Sequence, residues 1–467
     1  MQSIRRYSYV FRLTLVAILG GFLFGYDTAV VSGAVNAIRD FLVITFAGDS
    51  GASTSSITGF TVSSALIGCI IGGAAAGFIS LKAGRKGGMM LAAILFLLSG
   101  VGAAFPENMS FLGIEPLLSF IFYRIIGGIG IGLASMLSPM YIAEIAPAHI
   151  RGRLVSWNQF AIVSGILVVY FVNWFIARHG DEQWNLTIGW RYMFLSGAIP
   201  SLIYLFLLFL IPETPRFLVI KKRNDQALNV LRKTVGAEAE ASLKEITSTL
   251  VEKSAPWLSF GAGVIIISIL LAAFQQLIGI NVVLYYAPKI FQNTGTKLDI
   301  SLLQTILVGA VNLLFTIIAI FTVDKLGRKP LLIAGGLTMG IAMAAIGFTF
   351  YGEKMGIMAL IFILLYIAGF AMSWGPVMWV LLSEIFPNSI RSAMSLATAT
   401  VWITDFLVSW SFPVLDDNIW LIAKFHHGFA YWIYALICVM AAIFVWKKVP
   451  ETKGKTLEQI EKLVSKS

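Results

Sequence analysis

Apolar residues run in long blocks through most of this chain, and the charged residues gather in the short segments between them. Twelve blocks are predicted to be membrane-spanning helices: residues 12–33, 57–80, 88–105, 117–142, 155–177, 190–211, 260–291, 300–323, 330–351, 357–382, 394–415 and 426–446. At about 1.5 Å rise per residue, each is long enough to cross a hydrocarbon core of about 30 Å. An even number of crossings returns both termini to one side. One long polar segment, 212–256, alternates Lys, Arg, Glu and Ala with Leu and Val, which predicts short amphipathic helices rather than a flexible linker. It divides the chain into an N-terminal half (1–211), a helical linker (212–256) and a C-terminal half with a short tail (257–467).

The halves repeat one another. Gly84-Arg85-Lys86 recurs as Gly327-Arg328-Lys329, the stretch Glu144 to Arg151 as Glu384 to Arg391, and Pro212-Glu213-Thr214 as Pro450-Glu451-Thr452. Three pairs in one order, at offsets of 238 to 243 residues, indicate duplication of a unit of about half the chain. Paired membrane halves are a common construction of secondary transporters.

Composition agrees with that class: 58% hydrophobic residues and 12% charged exclude an ordinary soluble domain. The net charge of +10 does not indicate nucleic acid, because the basic residues lie between apolar blocks and form no continuous surface. Of 34 Lys and Arg, 26 fall on the side of the termini, so the positive-inside rule places the termini in the cytoplasm. The first block ends without a small-residue cleavage site and carries Asp27, and is retained as a span rather than a signal peptide. Cys69 and Cys438 both lie within apolar blocks, which predicts buried thiols and no disulfide. Val449 stands where a phosphate-binding loop ending in Gly454-Lys455-Thr456 would need glycine, and none of the four histidines forms an HExxH motif. No ATP site, zinc-protease site, metal or cofactor is expected, and the chain is read as a non-enzyme.

Polar residues within spans are costly in hydrocarbon unless they pair or face water. Gln159, Gln275, Gln276, Asn281 and Asn312 supply amides, and Trp379 and Trp402 supply flat apolar faces with one N–H each. Such a set suits a sugar, and it equally suits bonds between helices. Ile166 and Tyr170 follow Gln159 on one helical face. Ile278-Gly279 and Gly375-Pro376 predict breaks in spans seven and ten, as found where discontinuous helices line a substrate cavity.

The sequences FQQLIGINVVLYYAPKIF (274–291), WGPVMWVLLSEIFPNSIR (374–391), PETPR (212–216), VDKLGRK (323–329) and PETKGKT (450–456) resemble the signatures of the sugar porter family of the major facilitator superfamily, with greatest similarity to bacterial D-xylose:proton symporters. The resemblance runs from Gly20 to about Leu457, with Leu81 departing from the polar or acidic residue expected in the first loop. It implies an all-α membrane protein of twelve transmembrane helices in two pseudo-symmetric six-helix bundles, located in a bacterial inner membrane. A monosaccharide, D-xylose before D-glucose or another hexose, and a proton are the implied partners besides the bilayer; no obligate protein partner is expected. The implied sugar contacts are Phe24, Gln159, Ile166, Tyr170, Gln275, Gln276, Asn281, Tyr285, Asn312, Gly375, Trp379 and Trp402. Ile166 and Val401 are apolar where xylose symporters carry polar residues. The resemblance further implies that Arg85, Glu144, Arg151, Glu213, Arg328, Glu384 and Arg391 form ion pairs across the halves that hold the cytoplasmic gate shut in the outward-facing state.

Asp27 and Arg124 fall at one depth, about 8 and 10 Å below the outer surface, so an ion pair within the N-terminal half is expected. An aspartate beside an arginine that can move away is also a proton switch. Relatives that merely facilitate diffusion carry a neutral residue there, so the resemblance implies proton symport, with facilitative uniport or a non-transporting sugar sensor as the alternatives. Asp405, one turn beyond Trp402, lies at a depth where a carboxylate must face the cavity or an internal partner. Two roles stay open for it: a group in a solvated or hydrogen-bonded outer vestibule, or an acceptor for sugar hydroxyls.

Overall fold

The computed structural model describes residues 2–48, 52–249, 262–352, 357–385 and 394–453. Among these residues there is no strand, and ten helices are long and apolar enough to cross a membrane. One of them, Ala52–Ala104, is broken by a non-helical backbone at Gly84 (φ 85°, ψ 176°) and provides spans two and three. Span eleven is the 23-residue helix Met394–Asp416. With it the chain crosses twelve times.

The spans predicted from apolar blocks are close to those observed. Span one extends back to Gln2 and ends at Val30, span five begins at Ala148, and span twelve is Phe429–Lys448. Span seven is Ala262–Leu277 followed by Ile280–Gln292, and span ten is Ile357–Met372 followed by Pro376–Ile385. Both breaks fall where Gly and Pro predicted them. At the first, Gly279 has φ 88°, and the Ile278 carbonyl freed by the break accepts a bond from Tyr366 Oη at 3.0 Å. At the second, Trp374 Nε1 donates to Leu332 O at 2.9 Å.

Packing within the N-terminal half depends on close backbone contact rather than large side chains. A Cβ at Gly128 would lie 1.8 Å from Ala65 O, and one at Gly165 would lie 2.1 Å from Phe22 O. Spans two and four, and one and five, therefore meet at small residues, as is usual where lipid gives no hydrophobic drive for helix association. Between spans six and seven, helices Pro215–Ile220, Asn224–Thr234 and Ala239–Thr249 bury Leu218, Val219, Ala227 and Val230 against one another. These are the expected amphipathic helices of the linker.

Candidate functional site

The ends of spans three and nine that lie on the side of the termini are built alike. Glu213 accepts bonds from the backbone N–H groups of Arg85 and Lys86 at 3.2 and 3.1 Å, and Glu451 does the same for Arg328 and Lys329 at 3.2 and 3.0 Å. Each carboxylate thus satisfies the free donors at a helix start just after a glycine with positive φ, Gly84 or Gly327. Burial pushes the Glu213 carboxyl above its usual range, opposed by bonds from the backbone of Thr214, Lys86 and Arg85. Arg85 Nη2 donates to Glu144 Oε1 at 2.8 Å, and Arg328 Nη2 to Glu384 Oε1 at 2.8 Å.

The expected pairs across the halves belong to the outward-facing conformation, with the inner gate shut. In this conformation the polar contacts described for Arg85, Glu144, Glu213, Arg328 and Glu384 stay within one half, because the duplication copied the whole Arg–Glu–Glu arrangement. Arg151 is exposed without an ion pair to a described residue, and Arg391 lies outside the described residues.

On the opposite side the halves do meet. Asn36 Nδ2 donates to Gln292 Oε1 at 2.9 Å, Ser55 Oγ to Asp417 Oδ2 at 3.1 Å and Trp410 Nε1 to Ser56 O at 3.0 Å. A charged cluster that the sequence reading did not single out backs this seam. Lys289 Nζ lies 2.8 Å from Asp417 and 3.8 Å from Asp416, while His427 Nδ1 and Asn293 Nδ2 lie 3.1 and 3.0 Å from Asp416. The hydrogen bond to Asp416 raises the pKa of His427 above the ordinary histidine value. His427 precedes span twelve and is held by this cluster, rather than lying free at the interface.

Between the two sides lie the in-span polar residues. Asn281 Nδ2 donates to Gln276 Oε1 at 2.8 Å, Gln276 Nε2 to Gln275 Oε1 at 3.2 Å, and Gln275 Nε2 to Trp374 O at 3.1 Å. This amide chain crosses the break in span seven and is fixed by the break in span ten, where Gly375 N donates to Phe370 O at 3.0 Å. Phe24 packs against Trp402, with ring centroids 5.6 Å apart, and Trp402 Nε1 is buried without a partner. Gln159 and Asn312 make no hydrogen bond to a described residue. Phe24, Gln159, Asn281 and Trp379 are half-buried, while Ile166 and Tyr170 are buried. Tyr170 Oη is committed to Leu284 O at 2.8 Å, across the halves. Gln275, Gln276 and Asn312 are buried as well, and on the side away from the termini the halves are joined by the seam described above.

Arg124 and Asp27 lie together, as their common depth predicts. Arg124 Nη1 donates to Asp27 Oδ2 at 3.0 Å and Nη2 to Asp27 O at 3.3 Å, with the guanidinium 5.4 Å from the Phe194 ring. Arg124 Nε is buried without a partner, so this pairing leaves one donor unused. Asp27 also borders a small cavity lined by Tyr26, Phe96 and Ser201.

Asp405 is 1% exposed, so in this conformation it is a hydrogen-bonded rather than a solvated group. It accepts bonds from Tyr285 Oη at 3.3 Å and Ser409 Oγ at 3.0 Å.

Residues 13–464 match the family described as sugar (and other) transporter. The chain is 55% identical over 472 residues to the D-xylose-proton symporter of Escherichia coli (strain K12), covering 98% of this chain and 96% of that protein. It is 41% identical to the glucose facilitated diffusion protein of Zymomonas mobilis, covering 99% of each. The inward open conformation of the xylose transporter XylE from E. coli superposes with a TM-score of 0.88 at 53% identity, covering 97% of this chain and 100% of that one.

Proposed function

The chain belongs to the sugar porter family of the major facilitator superfamily, and from that premise we propose that it imports a monosaccharide, D-xylose first, by proton symport with alternating access. The observation that carries the proton coupling is the buried Asp27–Arg124 pair in the N-terminal half. Released from Arg124 and desolvated, Asp27 takes up a proton; paired again, it gives the proton up. The Gln275–Gln276–Asn281 chain, Gln159, Asn312 and the indoles of Trp379 and Trp402 offer a sugar two-way hydrogen bonds and flat faces. The termini are cytoplasmic, which makes the closed seam the outer gate and this conformation inward-facing. Similarity to the E. coli inward open structure supports that assignment. In an outward-facing conformation, Arg151 and the Arg85 and Arg328 networks supply the charges for a cytoplasmic gate.

Sugar counterflow in proteoliposomes, run with pentoses and hexoses in turn, identifies the substrate. Alkalinisation of a weakly buffered medium on sugar addition tests symport. Uptake that only equilibrates and ignores a protonophore establishes uniport instead.

A further inference from the structure

We propose that Asp405 is a second proton-binding site, in the C-terminal half, which takes its proton from the outer side and must be neutral for the halves to close there. It is a gating proton rather than a transported one, and the proposal rests on the transport reading above.

Asp405 lacks a cation where other carboxylates in and at the ends of the spans have one. Asp27 has Arg124, Asp416 and Asp417 have Lys289, Glu144 has Arg85 and Glu384 has Arg328. Among the described residues none is recorded as an ion-pair partner of Asp405, although it is 1% exposed. An ionised carboxylate sealed from water without a cation is a costly state, and proton uptake removes it. Its bonds from the Tyr285 and Ser409 hydroxyls, at 3.3 and 3.0 Å, bring hydrogen-bond donors but no positive charge.

The groups facing it come from three spans. Tyr285 and Asn281 reach it from span seven. From the same span, Tyr286 packs nearby and donates to Ser409 O at 3.0 Å. Ser409 belongs to span eleven, and Cys69 approaches from span two. Beyond Cys69 stands the Asp27–Arg124 pair, and Arg124 and Tyr285 line one small cavity between the halves. Farther out come Asp416, Asp417, Lys289 and His427.

Closure and burial are joined by one helix. Trp410, next to Ser409, donates to Ser56 O of the N-terminal half, and its ring packs on Phe60 and Phe406. Forming that seam therefore removes Asp405 from outer water. The site reopens to the same side, so its proton returns outward and adds nothing to the proton-to-sugar ratio.

The test is infrared spectroscopy of wild-type and Asp405→Asn protein in proteoliposomes with sugar bound, near neutral pH. The expected result is a carboxylic-acid C=O band, sensitive to H/D exchange, that is present in wild type and absent from Asp405→Asn. No band lost from Asp405→Asn overturns the proposal. If that variant misfolds, Asp405→Glu, which keeps the acid, decides: a shifted band supports the site, and an unmoved band overturns it. In an Asp27→Asn background, counterflow should fall about tenfold when external pH rises from about 6 to about 8, and Asp405→Asn should reduce that change to under about twofold. Replacing His427 by Asn in the same background must leave the tenfold change in place; its loss there assigns the effect to the outer charged cluster and overturns the proposal. The two readings separate cleanly. A wild-type protein that moves no proton with sugar but shows the Asp405 band refutes symport alone, and one that couples protons but loses no band refutes this inference alone.

Discussion

Arg124 holds Asp27 through one guanidinium nitrogen at 3.0 Å and holds the Asp27 backbone carbonyl through another, leaving Nε unpaired. The arginine is thus anchored to the chain of span one as well as to the carboxylate, so it can lose the carboxylate without leaving the site. Asp27→Asn keeps the shape and removes the exchangeable proton. Active accumulation is expected to vanish while sugar counterflow persists in the same vesicles. Wild-type accumulation by this variant would make Asp27 a structural charge.

The seam on the side away from the termini carries a pH dependence of its own. Because His427 titrates above its ordinary value of 6.5 when folded, its bond to Asp416 adds stability that is fully present below that ordinary value. The contribution is lost as pH rises through the raised folded value. The thermal midpoint in detergent should therefore fall across the window above about pH 6.5 in wild type. His427→Asn should flatten that slope, and an equal slope in both proteins contradicts the assignment.

Gly84 and Gly327 test the repeated helix starts. Each has positive φ, and a Cβ at Gly84 would lie 2.1 Å from Glu213 Oε2. Gly84→Ala combines backbone strain with displacement of the carboxylate that satisfies two helix N–H groups. A stability loss of about 2–4 kcal/mol is expected, on the scale of about 1–3 kcal/mol for a strained residue plus about 1 for a lost cap. Gly327→Ala, where the corresponding distance to Glu451 Oε2 is 2.9 Å, should cost less. Thermal melts of the two variants give the order directly.

The sequence makes legible whatever depends on local spacing. Apolar blocks locate the spans, the Gly279 and Gly375-Pro376 breaks are visible as residue types, and counting along two helices places Asp27 beside Arg124. For the charges at the span ends on the side of the termini, a duplicated motif looks the same whether its copies pair internally or with each other. Only the structure shows Arg85 turned to Glu144, 59 residues away in its own half. The Lys289–Asp417 pair spans 128 residues and matches no periodicity, so nothing local announces it. Its one sequence signal is the adjacent acid pair Asp416-Asp417 at the C-terminal end of span eleven. Asp405 stood out as unusual, and what the sequence could not supply was the closure that seals it.

Trp374 and Trp402 pose a final test of what the cavity binds, because the two indoles differ in one respect. Trp374 Nε1 donates to Leu332 O at 2.9 Å, so that N–H stabilises the break in span ten. Trp402 Nε1 is buried with no protein partner, next to Phe24. A buried donor without a bond is unfavourable, and a sugar hydroxyl reaching Trp402 would satisfy it. Replacing each by Phe keeps an aromatic face and deletes the donor. Trp374→Phe leaves Leu332 O without its partner and should lower stability by about 1–3 kcal/mol. Trp402→Phe removes an unsatisfied group from the empty protein, so its melting temperature should hold or rise. Its sugar affinity should fall by about threefold to tenfold, the equivalent of one neutral hydrogen bond worth about 0.5–1.5 kcal/mol. Thermal melts and sugar titrations on both variants separate the effects. Unchanged affinity in Trp402→Phe would mean that the indole N–H does not meet the sugar and that Trp402 contributes only its ring.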